Sequence, residues 1–67
     1  MKQAANDIHR DKKLDALLGK QVRVIWYDGK VSMGLLSSYE DGYYRLLEFS
    51  GSAWLLRKSH VKKISRI

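Results

Sequence analysis

Few side chains in this sequence stand where they could do chemistry. Glu40 and Asp41 are adjacent carboxylates. Neighbours on a strand point to opposite faces, and such a pair usually belongs to a turn, so general acid–base work is not indicated. His9 and His60 lie far apart, without the spacing of metal ligands. With no cysteine, both disulfides and thiolate metal sites are removed. No nucleophile stands beside a base, and no glycine-rich loop is built to cradle phosphate. The expectation is a protein that binds and does not catalyse, with no catalytic residue, no metal and no cofactor.

The residues suited to binding are aromatic and cationic. Tyr43 and Tyr44 follow an Asp-Gly turn, and Arg57 and Lys58 precede a polar break that continues through Ser59 and His60. The net charge of +6 on 67 residues favours acidic partners. Nucleic acid is the commonest of these, because each neutralised phosphate releases counterions. Met1 to Asp7 has no apolar core of signal-peptide length, and no apolar run approaches a membrane span. The expected location is the cytoplasm.

These side chains must be positioned by one small domain, 1–67. A chain of this length buries only about 60% of its unfolded surface. Without disulfides or a metal, self-association is the remaining staple. Residues 1–6 are polar and expected to fray. Residues 7–18 read as a helix, capped by Asn6 or Asp7 and ended by Gly19, with Leu14, Leu17 and Leu18 on one face.

From 21 to 67 the period becomes two. Val22, Val24 and Trp26 alternate with Gln21, Arg23 and Ile25, and Asp28-Gly29 is a hairpin signal. A strand from Lys30 to about Ser38 contains Gly34, which marks a bend or bulge. Asp41-Gly42 and Ser50-Gly51-Ser52 separate three further strands: Tyr43–Phe49, Ala53–Arg57 and Val61–Ile67. Trp26 and Trp54 fall inside apolar strands, which suits core or subunit contact better than ligand stacking. Lys62, Lys63 and Arg66 suit either the guarding of an edge strand or a basic rim. The expected fold is mostly β: a short N-terminal helix followed by a five-stranded, strongly bent barrel.

The order of these elements resembles the Sm-like family, which includes the eukaryotic Sm and Sm-like proteins and bacterial Hfq. The likeness runs from about Leu14 to Ile64. Its first segment is Val22, Val24, Asp28-Gly29-Lys30, Gly34, Leu36 and Tyr39-Glu40; its second is Leu56 to Ile64, centred on Arg57. SH3-like barrels share the shape. The family's base-contacting Asn is absent: counted from Tyr39, its position falls on Tyr44, or on Arg45 with Tyr43 as stacker if the turn carries one more residue. Lys58 replaces the family's glycine, and Hfq's Lys-His pair becomes Lys58-Ser59, with His60 one place along.

The resemblance implies a homo-oligomeric ring of six or seven subunits that holds single-stranded RNA at its pore. The RNA-binding residues would be Tyr43, Tyr44, Arg45, Arg57, Lys58, Ser59 and His60, with rings stacking on bases and cations meeting phosphates. The alternatives are an SH3-like adaptor for a protein partner, of phage or mobile-element origin, and a small DNA-binding barrel.

Overall fold

The computed structural model describes residues 8–67. Helix α1 spans Lys12–Ala16, followed by strands β1 (Gln21–Trp26), β2 (Val31–Glu40), β3 (Tyr43–Glu48), β4 (Ala53–Leu56) and β5 (Val61–Arg66). A 3₁₀ turn, Lys58–His60, joins β4 to β5. The strands form one antiparallel sheet in the order β4-β3-β2-β1-β5.

The helix is shorter than its hydrophobic pattern suggested. Asp11 is its N-cap, accepting a 3.0 Å bond from the Leu14 N–H, and Leu17 is its C-cap. Asn6 and Asp7, the expected caps, lie outside the described residues. A helix of five residues cannot persist alone. Leu14 is fully buried on the sheet, and Leu17 and Leu18 pack beside it. Gly19 then takes φ +80°, and its N–H donates to the Leu36 carbonyl, so the chain turns straight into β1.

Burial alternates cleanly in β1 and β3, while β4 buries only Leu56 and β5 buries Val61 and Ile64 three apart. Val22 and Val24 from β1, Leu36 from β2, Tyr44 and Leu46 from β3, Leu56, Val61 and Ile64 build the core with Leu14. The β2–β3 hairpin turns on Asp41 (φ 54°) and Gly42 (φ 87°), the two positive φ values a primed two-residue turn requires. Gly34 serves close approach. A Cβ there would fall against the Leu47 carbonyl oxygen and 2.7 Å from Glu48 Cα. Pairing between β2 and β3 then shifts register between Leu36 and Ser38, a bulge that bends β2 locally.

The barrel expected from the sequence does not form. Closure requires the two outermost strands to pair with a fixed stagger. Among the described residues, β4 and β5 are the open edges and do not pair with each other. A bond from the Tyr27 N–H to the His60 carbonyl, 3.4 Å, ties the end of β1 to the 3₁₀ turn and not to β4. The strongly bent, closed Sm-like or SH3-like barrel is therefore replaced by an open sheet with one short helix, and the Sm-like family assignment loses its fold.

Candidate functional site

The residues expected to bind RNA divide among four places. Tyr44 is fully buried and serves as a structural lock. Its hydroxyl accepts from the Asp11 N–H at 2.8 Å, and lies 2.7 Å from Asp15 Oδ1 and 3.2 Å from the Asp11 carbonyl. Burial pushes its pKa up from 10.0 to about 12. Strand alternation sends Arg45 to the opposite, exposed face, across from Leu55. Neither residue is free to stack on a base beside Arg57.

Arg57, Tyr43 and Lys58 do come together, but they face one another and the fold. The Arg57 guanidinium lies 4.1 Å above the Tyr43 ring, and its Nε donates to the Gly42 carbonyl at 3.0 Å. That clamp fastens the exit of β4 to the β2–β3 turn. Lys58 Nζ reaches Asp11 Oδ2 at 3.3 Å. The Leu14 N–H and then Lys58 hold the Asp11 carboxyl below the usual carboxylate range. The cleft beside them, about 320 Å³ and bordered by His9, Arg57, Lys58 and Ser59, is thus bounded by cations already engaged.

Ser59 also borders the larger groove, and His60 lines it. The His60 imidazole Nδ1 accepts from the Arg57 N–H at 3.3 Å. This groove, about 710 Å³, lies between the β1–β2 hairpin and β4. Trp26 and Trp54 form two walls, their ring centroids 6.5 Å apart and their planes at 62°. Trp26 Nε1 donates to Ser32 Oγ at 2.8 Å, which fixes that indole. Glu48 contributes a carboxylate, with Ser50 Oγ at 3.0 Å from Oε1. Donors around it, Ser32 first, then Ser50, with the Trp54 indole last, hold it below the usual carboxylate range.

Sequence reasoning placed Trp54 in the core or an interface and passed over Tyr27 and Glu48. Trp54 is 49% exposed, Leu55 61% and Tyr27 68%, a concentration of open apolar surface at one rim. The signal available in the sequence was Ala53-Trp54-Leu55-Leu56, an apolar run too short and too uniform to alternate.

The fold and this groove define a small open-sheet domain with one solvent-facing aromatic cleft. No protein-family model, curated protein or solved structure matches the chain. With neither the barrel nor a matching ring protein, the six- or seven-membered ring and the single-stranded RNA at its pore do not hold for this chain. The same open sheet removes the barrel on which the SH3-like adaptor and DNA-binding alternatives were drawn.

Proposed function

We propose that this chain is a non-catalytic docking module that takes an extended segment of a partner polypeptide along the free edge of β4. One side chain of that segment would enter the groove between Trp26 and Trp54. The observation that carries this reading is the contrast between the two open edges. β5 carries Lys62, Lys63 and Arg66, all exposed, and a row of cations discourages a further strand from pairing. β4 is exposed at Ala53, Trp54 and Leu55 and carries no charge. An unguarded edge offers backbone donors and acceptors, and an adjoining pocket supplies side-chain selectivity, as strand addition requires.

Selection from a displayed library of random dodecapeptides tests the proposal. The expected binders shift the amide signals of Ala53–Leu56 and the indole signals of Trp26 and Trp54 in NMR spectra. They lose affinity for Leu55→Lys and Trp54→Ala, while Lys63→Ala leaves affinity unchanged. Binders that hold both β4 variants as tightly as the parent protein, or a selection that yields none, would overturn it.

A further inference from the structure

We infer that the groove between Trp26 and Trp54 is a cation site, which receives the guanidinium or ammonium group of an arginine or lysine side chain on the docked segment. The inference rests on the docking reading above for its source of ligand, but the site is defined by its own chemistry.

The first element is aromatic. Two indoles meeting at 62° form a corner, so a group lodged there faces more than one ring. Indole is the best of the side-chain π-faces for attracting a cation. Tyr27 adds a third ring to the lining. The second element is charge. Asp28 and Glu48 both line the groove, opposed by Lys30. Donors from Ser32, Ser50 and the Trp54 indole hold the Glu48 carboxyl below the usual carboxylate range, and its oxygens keep room for a further donor. A guanidinium can donate to that carboxylate while stacking on indole.

Among the described residues, Asp11 caps the helix and meets Lys58, Asp15 meets Tyr44 and Arg10, and Glu40 and Asp41 lie at the β2–β3 turn, away from the groove. The groove is thus where a +6 chain sets a net negative lining against aromatic walls. The body charge opposes a cation only at range. At physiological salt the Debye length is about 8 Å, so contacts within the groove outweigh the distant lysines.

Two probes separate this inference from the docking reading. The first is N-acetylarginine methylamide, titrated against its neutral isostere N-acetylcitrulline methylamide, with the indole signals of Trp26 and Trp54 as the readout. The arginine compound should shift both signals, citrulline neither, and Glu48→Gln should abolish the response. The second is the tightest selected dodecapeptide, remade with citrulline or norleucine at each cationic position. One such exchange should weaken binding about thirtyfold, the scale of a desolvated cation–π contact. If arginine shifts the indoles but no peptide depends on β4, the cation site stands and the docking mode fails. If peptides require β4 but tolerate citrulline and norleucine throughout, docking stands and the cation inference is overturned. Equal responses to arginine and citrulline in the first titration overturn it as well.

Discussion

Replacing Tyr44 with Phe removes one oxygen from the most constrained polar site in the fold. The ring stays fully buried, so packing against the core is retained. What disappears is one short bond toward Asp15 Oδ1 (2.7 Å) and one from the Asp11 N–H (2.8 Å). A hydrogen bond to an ionised group contributes roughly 1.5–3 kcal/mol and a neutral one roughly 0.5–1.5. The Asp15 side chain is 33% exposed and also holds Arg10 at 3.1 Å, so water and Arg10 recover part of the loss. The expected destabilisation is about 2 kcal/mol. A 67-residue chain has roughly 3–10 kcal/mol in total, so the effect is large. It corresponds to a fall in Tm of about 8–16 °C. Urea denaturation followed by tryptophan fluorescence should show a lower midpoint at unchanged slope. The same variant has an alkaline signature. Because the folded pKa is raised, Tyr44 contributes stability below pH 10 that is lost as pH rises toward about 12. Phe cannot ionise, so the stability gap between parent and variant should narrow over that window. A midpoint shift below about 0.5 kcal/mol, the scale of an ordinary surface change, would show that the hydroxyl does not lock the helix to the sheet.

Three further outcomes are expected. Gly34→Ala should destabilise by roughly 1–3 kcal/mol, since its Cβ meets the Leu47–Glu48 backbone and overpacking exceeds the usual strand gain from alanine; thermal unfolding by circular dichroism reads this directly. Asp11→Ala should cost about 1 kcal/mol at neutral pH through the lost cap. Asp11 has a lowered folded pKa, so its contribution is present above its ordinary 3.8 and fades as pH falls below that value. An acid titration should show parent and variant converging there. Trp54→Ala, at a residue 49% exposed on an edge strand, should abolish groove binding while leaving the chemical shifts of the Val22–Val24 core unchanged.

The elements were legible because their signals are local. Asp28-Gly29 and Asp41-Gly42 name their turns: Lys30 N–H bonds Asp28 Oδ1 at 2.9 Å, and Asp41 and Gly42 both take positive φ. Val22 and Val24 in β1, and Tyr44 and Leu46 in β3, alternate into the core as the period of two requires, whereas β5 buries Val61 and Ile64 three apart across a register shift. Closure was not legible. The same alternation and the same Gly34 serve a closed barrel or an open sheet, and which edges meet is decided by long-range geometry that no short window contains. The partners of Tyr44 and Arg57 were not legible either, because a sequence shows what a side chain offers and not what already occupies it. Asp11, 33 residues from Tyr44, and Gly42, 15 from Arg57, supply those occupants.

The charge asymmetry of the edges gives the basic composition a different meaning from the one it first suggests. A surplus of +6 invites a phosphate partner. Yet Arg57 engages Gly42 and Tyr43, Lys58 meets Asp11, and Lys62, Lys63 and Arg66 stand along the β5 edge. An open sheet of five strands has two templates for unwanted association, and a small protein without disulfides has little stability to lose to it. Cations along β5 remove one template. The other is left apolar and uncharged at Ala53, Trp54 and Leu55, against the groove that holds Glu48. On the docking proposal, β4 is the edge left open to a partner strand, and β5 is the edge its cations close.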